Sequence, residues 1–345
     1  MTLRLETLSP ASLLSLGWSA FFEDQLGDSD AGLAPMRIAT VHRARLTAMA
    51  QTGPVKLVLA VHTNTGDFTV GDWVLADPRT HLLHRRLERK TVLERHAEGS
   101  RTAQLAGANI DTLFIVTSCN ADFNIARLER YLAMANQAGT TPVLLLTKAD
   151  KADDAESYAK QAARLQRGLL VVTVNPRLPD AAAALAPWCG EGQTVAVVGS
   201  SGVGKSTLVN TLAGPAQALP QETGEIREHD AKGRHTTTAR SLHAIAGGGW
   251  VIDTPGMRTL DVSDSAYGIE VLFAEITELG PLCKFSDCSH DHEPGCAVQA
   301  AVNAGTLDAG RLTRWRKLGS ENRENTKVQN GPRGAKPSIG RGKRR

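Results

Sequence analysis

The chain has 345 residues, 41% hydrophobic and 22% charged, and this composition excludes wholesale disorder and fibrous repeats. The length predicts roughly two to three domains. No apolar run approaches the ~18 residues needed to span a bilayer, and the first residues lack the apolar stretch of a signal peptide. Five cysteines in such a chain favour reduced thiols over a disulfide framework. We therefore expect a cytoplasmic protein with no membrane contact.

Basic residues are concentrated at the carboxyl end. Residues 311–345 contain 12 Lys and Arg against 2 Asp and Glu, a net charge of +10, whereas the rest, with 27 basic and 34 acidic residues, sums to −7. This asymmetry is common in proteins that bind a polyanion, although a solvated disordered end gives the same pattern. Residues 330–345, rich in Gly, Pro and basic residues, are predicted to form an unfolded tail.

Short β-rich runs begin after a mixed N-terminal extension, residues 1–35, in which Leu16–Leu26 is amphipathic. The runs, punctuated by turn signals up to about residue 100, are Val55–Val61, Phe68–Leu75 and Leu82–Leu87. They predict a small barrel or sandwich, and a barrel of about 60 residues suits an oligonucleotide-binding fold. A generic β-domain used only for packing fits the same periodicity.

From about Ile110 the chain alternates buried strands with helical segments. The strand runs are Leu113–Thr117, Val143–Thr147, Leu169–Val174, Val195–Val198 and Trp250–Asp253. After the first of them, apolar residues recur at helical spacing from Ile125 to Ala135, and Gly139 ends that helix. The alternation predicts a mostly parallel sheet with helices on both faces.

The fourth of these strands leads into a phosphate-binding motif. The pattern G-x-x-x-x-G-K-S/T is matched by Gly199-Ser200-Ser201-Gly202-Val203-Gly204-Lys205-Ser206-Thr207. Glycines let backbone N–H groups surround an anion at a helix N-terminus. We expect Lys205 to reach the β- and γ-phosphates and the Ser206 hydroxyl to bind Mg²⁺. The motif predicts nucleotide binding, but ATPases share it, so it does not select the base.

A second motif follows the Val143–Thr147 strand. It reads Thr147-Lys148-Ala149-Asp150 and resembles the Asn/Thr-Lys-x-Asp motif of GTPases. The Asp150 carboxylate can accept two hydrogen bonds from guanine, and adenine offers neither donor, so the motif predicts selection of guanine. A plain strand-end turn is the alternative. Thr147 lacks the amide of the commoner Asn, so we expect weaker contacts to the base there.

A third motif, D-x-x-G, is formed by Asp253-Thr254-Pro255-Gly256. Asp253 is expected to hold Mg²⁺ through water, and the Gly256 N–H to meet the γ-phosphate. The base-reading motif precedes the phosphate loop, the reverse of ordinary GTPases, and this order indicates a circular permutation. Because Gly256 lies only 27 residues before Cys283, we expect a change on hydrolysis to act directly on the C-terminal module.

Thiol and imidazole ligands cluster near the carboxyl end. Within 14 residues the sequence contains Cys283, Cys288, His290 and Cys296. Three thiolates and one imidazole suit a closed tetrahedral structural Zn²⁺ site, which would supply folding energy to a module with little core. His292 is a spare candidate ligand, and buried free thiols are the alternative. Cys119 and Cys189 are interpreted as structural.

These motifs, their permuted order, the Cys/His cluster and Gly233-Arg234-His235-Thr236-Thr237-Thr238 together resemble the RsgA/YjeQ family of ribosome small subunit-dependent GTPases, over about residues 36–320. The resemblance implies an oligonucleotide-binding barrel, a circularly permuted P-loop GTPase domain and a helical zinc module. It also implies a late maturation or checkpoint role on the small ribosomal subunit. The family's Cys-x-His pattern selects His290. The sequence departs from the family at Thr147 and at Thr173-Val174-Asn175, where a Ser-Ala motif is usual.

The catalytic residue is the least determined part of the site. Met257 occupies the position at which many GTPases place a water-orienting Gln, so slow intrinsic turnover is expected. His235 is the candidate for orienting or deprotonating water, and a surface-loop histidine is the alternative. One of the threonines 236–238, taken here as Thr237, is expected to bind Mg²⁺.

We therefore predict a Mg²⁺-dependent GTPase with one structural zinc ion. Its expected parts are an extension (1–35), a barrel (36–100), a permuted GTPase domain (101–262), a zinc-binding helical module (263–329) and a basic tail (330–345). The expected partners are GTP, GDP, the small ribosomal subunit and its rRNA, with the chain as a monomer. The other hypotheses are an RNA-binding module that uses nucleotide only structurally, and a P-loop ATPase in which Asp150 is a chance match.

Overall fold

The computed structural model describes residues 12–42, 44–96, 103–178, 180–214, 241–253 and 263–329. The predicted basic tail, residues 233–238 and Met257 lie outside this part of the chain. Within the described ranges, no helix combines the length and the apolar character that a membrane crossing requires.

A short helix, α1 (Ala20–Glu23), precedes a small antiparallel barrel. The barrel strands are β1 (Ala34–His42), β2 (Arg45–Ala50), β3 (Gly53–Lys56), β4 (Trp73–Ala76) and β5 (Leu83–Arg86). They pair in the order β3-β2-β1-β4-β5, and a parallel bridge between Val58 and Leu82 closes the ring. Inward residues such as Ile38, Leu46 and Val74 form a separate apolar core. The barrel predicted from the turn spacing is confirmed.

Two predicted barrel strands differ from the observed ones. β3 ends at Lys56 instead of continuing to Val61, whose side chain is 85% exposed. β4 begins at Trp73 instead of Phe68, because Gly71 adopts a φ of 91° and Asp72 accepts a hydrogen bond from a backbone N–H three residues earlier. Turns therefore interrupt the two apolar runs for which the sequence predicted longer strands.

A two-stranded antiparallel hairpin leads from the barrel towards the α/β part. It consists of β6 (Val92–His96) and β7 (Ala103–Ala108), and the boundary predicted between residues 100 and 101 lies between the two strands, outside the described residues. The hairpin packs close to the barrel, since the Ala108 carbonyl would lie 2.1 Å from a Cβ on Gly71. The predicted domain boundaries stay a prediction.

The α/β part has a mostly parallel sheet. In chain order its elements are β8 (Thr112–Ser118), α2 (Ile125–Gln137), β9 (Thr141–Thr147), α3 (Ala155–Ala163), β10 (Leu170–Thr173), α4 (Asp180–Leu185), β11 (Thr194–Gly199), α5 (Lys205–Ala213), β12 (Ser241–Ala244) and β13 (Trp250–Asp253). Strands β10-β9-β8-β11-β13 are parallel and β12 is antiparallel to β13. The five predicted strands and the predicted helix are confirmed, whereas β12 was not predicted.

Helices cover both faces of this sheet. Phe114 and Val116 of β8 pack with α4 and α5, while Leu113 and Ile115 pack with α2 on the other face. This alternation follows from the period of two along a strand. Both faces of β8 are buried, so its sequence reads as one continuous apolar run.

The barrel is joined to the α/β sheet by strand pairing and by one buried arginine. β1 pairs with β12 through Thr40 and Ser241, so the barrel strands β1–β5 and the α/β strands β8–β13 belong to one sheet, whereas β6 and β7 form a separate one. Arg37 of β1, 1% exposed, donates hydrogen bonds to the Leu16 carbonyl at 2.7 Å and to the Thr194 hydroxyl at 2.7 Å. One guanidinium therefore connects the N-terminal segment, the barrel and the start of β11.

The C-terminal part is helical. Its helices are α6 (Ala266–Leu272), α7 (Ala274–Thr277), α8 (Ala297–Asn303) and α9 (Ala309–Gln329). α6 crosses α2 closely at Gly268, where a Cβ would lie 2.0 Å from the Ala133 carbonyl oxygen. Only glycine permits this approach, so the C-terminal helices pack directly on the α/β part.

Candidate functional site

Three loops meet at the carboxyl edge of the parallel strands. They follow β9, β10 and β11, and the strand register aligns Thr173 with Leu146 and Gly199 with Val116. In an open parallel sheet, the crevice beyond this edge is where ligands bind. The permuted chain therefore brings together two motifs that lie 49 residues apart in sequence, counted from Asp150 to Gly199.

The phosphate loop has the backbone that its glycines allow. Gly199, Gly202 and Gly204 have φ values of 142°, 78° and 102°, and a Cβ on Gly199 would lie 2.2 Å from the Val116 carbonyl oxygen. α5 begins at Lys205, directly after the loop, so the strand–loop–helix context is as predicted. The other motif residues occupy the loop and the first turn of α5, namely Ser200, Ser201, Val203, Ser206 and Thr207. Their roles in binding stay a prediction.

The Lys205 side chain lies against the phosphate loop. Its ammonium group donates a hydrogen bond to the Ser200 carbonyl. This contact holds the positive charge beside backbone N–H groups at a helix N-terminus, an arrangement suited to an anion.

The base-reading motif is tied to the phosphate loop by Thr147. Its side chain is 1% exposed, and its hydroxyl lies 2.7 Å from the Val203 carbonyl oxygen and 3.2 Å from that of Thr117. Lys148 then adopts a φ of 56°, and Asp150 lies exposed in a short 3₁₀ turn. The threonine was expected only to weaken contacts with the base; the structure gives it a second task, fixing one loop on the other.

Thr147→Val should separate these two loops. The isosteric change removes the donor and leaves the Val203 carbonyl without that partner, at a cost of about 1–2 kcal/mol. We expect guanine-nucleotide affinity to fall by roughly tenfold, measured by titration with a fluorescent GDP analogue. Thr147→Ser, which keeps the hydroxyl, should bind like the wild type. Equal affinity of the valine and serine variants would contradict the assigned role.

The third loop, which follows β10, also packs on the phosphate loop. It contains Thr173-Val174-Asn175, the segment that stands where the family usually has a Ser-Ala motif. The Thr211 hydroxyl of α5 donates to the Pro176 carbonyl at 2.6 Å, and a Cβ on Gly204 would lie 3.3 Å from the Pro176 ring. Asn175 accepts a hydrogen bond from the Arg177 N–H and closes an Asx turn. Sequence reasoning missed Thr211, because a threonine inside a helix carries no motif signal.

Part of the predicted site lies outside the described residues. β13 ends at Asp253, beside β11, which places the first residue of the D-x-x-G motif at the same edge of the sheet. Gly256 and Met257 lie outside the described residues, as do His235 and the threonines 236–238. Their expected parts in binding Mg²⁺, sensing γ-phosphate and catalysis stay predictions.

The cysteines and the histidine predicted to bind metal converge. The ligand atoms of Cys283, Cys288, His290 and Cys296 all lie within 4.8 Å of one another, so this cluster could hold a metal ion. Two thiols also accept hydrogen bonds from backbone N–H groups at the start of α8. Burial is the main cause that lowers the pKa of the His290 imidazole, and this favours its neutral, ligating form. The spare candidate His292 has its side chain 86% exposed and is not part of the cluster.

The backbone of His290 is held in an unusual conformation. Its φ is 61°, and its carbonyl accepts hydrogen bonds from the Gln299 amide at 2.6 Å and from the Arg316 guanidinium. The Trp315 ring lies 5.6 Å from the imidazole, centroid to centroid. These neighbours orient the ligand, and sequence reasoning missed them because they lie outside the Cys/His spacing.

Gln299→Ala should weaken metal binding without removing a ligand. Loss of such an outer partner typically costs about 10- to 100-fold in metal affinity. We expect a fall of at least about tenfold in zinc affinity, measured by competition with a chromogenic chelator. Gln161→Ala, on the exposed side of α3, serves as the control and should match the wild type. An unchanged affinity of the Gln299 variant would show that the imidazole is positioned by other contacts.

Three basic residues counted with the C-terminal charge excess are engaged by the folded body. Arg311 and Arg314 pair with Glu129 of α2, each at 2.9 Å, and Arg316 lies 3.3 Å from Asp291. The basic excess of residues 311–345 therefore includes arginines that are structural parts of α9. The polyanion hypothesis then depends on residues further along the chain.

Comparisons with known proteins show the family to which the chain belongs. A family model described as RsgA GTPase matches residues 86–263. The small ribosomal subunit biogenesis GTPase RsgA of Mesorhizobium japonicum is 74% identical over 339 residues, covering 98% of each chain. The second such protein, RsgA 2, of Vibrio vulnificus is 49% identical over 311 residues, covering 90% of this chain and 87% of that relative.

Solved structures share the fold. YjeQ from Thermotoga maritima superposes with a TM-score of 0.60 at 22% identity, covering 84% of this chain and 98% of that one. YloQ, described as a circularly permuted GTPase, gives 0.61 at 23% identity, covering 87% and 99%. The permuted order of the motifs in this chain agrees with the description of YloQ. The chain belongs to the RsgA GTPase family and is a GTP hydrolase with a circularly permuted GTPase fold.

Proposed function

We propose that GTP binds across the three loops at the carboxyl edge of the sheet. The observation that carries this proposal is the hydrogen bond from Thr147 to Val203, which holds the base-reading motif against the phosphate loop. Asp150 would read the guanine edge, and Lys205 with the loop N–H groups would hold the phosphates. A Mg²⁺ ion would be held by Ser206, by Asp253 through water and by Thr237, and it would neutralise charge on the phosphates.

We propose that hydrolysis is slow until a partner completes the site. Met257 cannot hydrogen-bond to water, so the usual water-orienting group is missing from that position. His235 is the residue proposed to orient or deprotonate water. A switch that waits for its partner suits this arrangement, because the nucleotide state then reports engagement.

The proposed partner is the small ribosomal subunit, the assembly named in the relatives' descriptions. The chain would act there as a cytoplasmic monomer in late maturation, contacting rRNA. Exposed basic side chains on the barrel, with Arg45, Lys56, Arg79 and Arg86 among them, support rRNA contact. Phosphate contacts of this kind should make binding sensitive to salt.

The proposed function is tested by measuring phosphate release from GTP with and without purified small ribosomal subunits. Large subunits at the same concentration are the control for nonspecific RNA effects. We expect stimulation only by small subunits and only with GTP. Equal rates with and without them would remove the assembly role while leaving GTP hydrolysis intact. If nucleotide is only a structural ligand of an RNA-binding module, Lys205→Ala should leave affinity for the subunit independent of nucleotide.

Asp150→Asn separates a GTPase from a P-loop ATPase. The change removes a carboxylate that accepts two guanine donors, and hydrogen bonds to a charged group contribute about 1.5–3 kcal/mol. The preference for GTP over ATP should therefore fall by roughly 10- to 100-fold, read from the two dissociation constants. Asp154→Asn, which alters the helix cap of α3 nearby, is the matched control. An unchanged preference would discard the base-reading assignment.

We propose that the Cys/His cluster holds one structural Zn²⁺ ion. A tetrahedral ion with Zn–S bonds of about 2.3 Å and a Zn–N bond of about 2.0 Å separates two sulfurs by about 3.8 Å and sulfur from nitrogen by about 3.5 Å. The Cys283 and Cys296 sulfurs lie 3.8 Å apart, and His290 Nδ1 lies 3.5 Å from each. Four protein ligands close the coordination shell, so the ion would stabilise the module without taking part in hydrolysis.

A further inference from the structure

A buried carboxylate joins the C-terminal helices to the α/β part. Glu129, in the second turn of α2, is 2% exposed and accepts hydrogen bonds from Arg311 and Arg314 of α9, each at 2.9 Å. Arg311 also donates to Glu275 at 2.6 Å, and its guanidinium lies 4.1 Å from the centre of the Phe273 ring. Because removal of either partner leaves a buried charge, this joint holds α9 on α2 in one geometry.

The first turn of α2 begins at the edge of the sheet where the three loops meet. Cys119, the residue after β8, donates its backbone N–H to the Thr147 carbonyl at 2.9 Å. The Thr147 hydroxyl in turn donates to Val203 of the phosphate loop. Asn124 caps α2 by accepting the Arg127 N–H at 2.9 Å. Hydrogen bonds therefore connect the phosphate loop, through Thr147, with Cys119 at the beginning of the loop that leads from β8 into α2.

The same helix α9 reaches the Cys/His cluster. Arg316 donates to the His290 carbonyl and pairs with Asp291, and Trp315 packs on the His290 ring. Arg311, which binds Glu129, lies less than two turns earlier in α9. One rigid element thus contacts both the metal-ligand loop and α2.

We infer that α2 couples the Cys/His cluster to the nucleotide pocket. A metal ion at the cluster orders the module and α9, α9 fixes α2 through Glu129, and α2 fixes the loop that places Cys119 against Thr147. The inference rests on the proposed GTP and zinc sites. The element with two states is the C-terminal module, whose order depends on metal binding. A pocket fixed in advance binds its ligand more tightly, so metal loading strengthens nucleotide binding.

The test uses the full chain and a fluorescent GDP analogue. Its dissociation constant is measured for zinc-loaded and zinc-stripped protein, for the wild type and for Glu129→Gln. Glu278→Gln is the matched control, because the Arg167–Glu278 pair at 2.7 Å also joins the two parts but is well exposed and does not involve α2. We expect zinc to tighten binding at least about fivefold in the wild type and the control, and less than about twofold in Glu129→Gln.

Two further measurements separate coupling from simple loss of folding. Arg314→Gln removes one of the two guanidinium groups that bind Glu129, at a partly exposed position. For this variant, the factor by which zinc tightens binding of the GDP analogue should lie between the factors of the wild type and of Glu129→Gln. Linkage is reciprocal, so saturating GDP should raise zinc affinity by the same factor, read from chelator competition.

Each outcome bears on the inference. The inference is overturned if zinc-loaded and zinc-stripped wild type bind the GDP analogue with equal affinity. It is also overturned if zinc tightens binding in Glu129→Gln by the same factor as in the wild type. Absence of the reciprocal shift in zinc affinity would also overturn it. Failure of the wild type to bind the GDP analogue or zinc at all would instead refute the proposed function, and the inference with it.

Discussion

Replacing Lys205 by alanine is expected to lower the rate of GTP hydrolysis by about 10²- to 10³-fold, the usual cost of removing one preorganised charge-stabilising donor. The Lys205 ammonium lies at the start of α5 and donates to the Ser200 carbonyl, so it is held where the phosphates would bind. Without it, the charge on the transferred phosphoryl group loses a cation that water does not replace within the loop. The measurement is phosphate release with saturating GTP and small ribosomal subunits.

Lys160→Ala provides the control for this prediction. Lys160 lies on the exposed side of α3 and pairs with Glu156 one turn away. It belongs to none of the nucleotide-binding motifs. The control should hydrolyse GTP within about twofold of the wild type, since surface substitutions of this kind have small effects. Circular dichroism of both variants checks that the fold is kept. A Lys205 variant that retains full activity would place the reaction outside the phosphate loop.

Replacing Arg37 by methionine is expected to lower the free energy of unfolding by about 3 kcal/mol or more. The guanidinium donates to the carbonyls of Leu16 and Asn109 and to the Thr194 hydroxyl, all of which are lost together. Burial lowers the pKa of Arg37 to about 10, against the opposing effect of Asp111, so the side chain remains charged at neutral pH. Methionine fills much of the volume but leaves buried acceptors without donors.

The effect of this substitution is measured by urea unfolding followed through tryptophan fluorescence, because Trp73 lies beside Arg37 in the barrel. Arg45→Met, on the exposed face of β2, is the matched control and should change stability by less than about 0.5 kcal/mol. If the two variants unfold alike, Arg37 does not hold the barrel on the sheet. A selective loss for Arg37→Met would mean that barrel and GTPase part unfold as linked units.

Lys205 and Arg37 differ in whether their structural role can be predicted from the sequence. Lys205 belongs to a motif whose backbone is set locally by glycines, so its place was predictable before any tertiary contact was known. Arg37 belongs to no motif. In the sequence it is one basic residue that precedes the predicted β-rich runs, and its burial arises only when β1 meets a residue 157 positions away.

The same contrast applies to the barrel strands and to Thr147. Periodicity identified the strands of the α/β part because most of them, such as β8, β9 and β11, are buried, but it extended two barrel strands into turns. The base-reading motif identified Thr147 by its position, but predicted only that it contacts the base more weakly than the commoner Asn. Its hydrogen bond to Val203 appears only when two loops, separated in the chain, are brought to one edge.

Local information therefore determined the motifs, their permuted order, the Cys/His spacing and the fold class, because each depends on backbone geometry or ligand chemistry over a few residues. Tertiary structure alone decided the buried contacts between parts: Arg37 between the barrel and the sheet, and Glu129 of α2 with Arg311 and Arg314 of α9. The physical reason is that a buried ion pair or hydrogen bond requires partners from distant segments, and linear spacing carries no record of which segments meet.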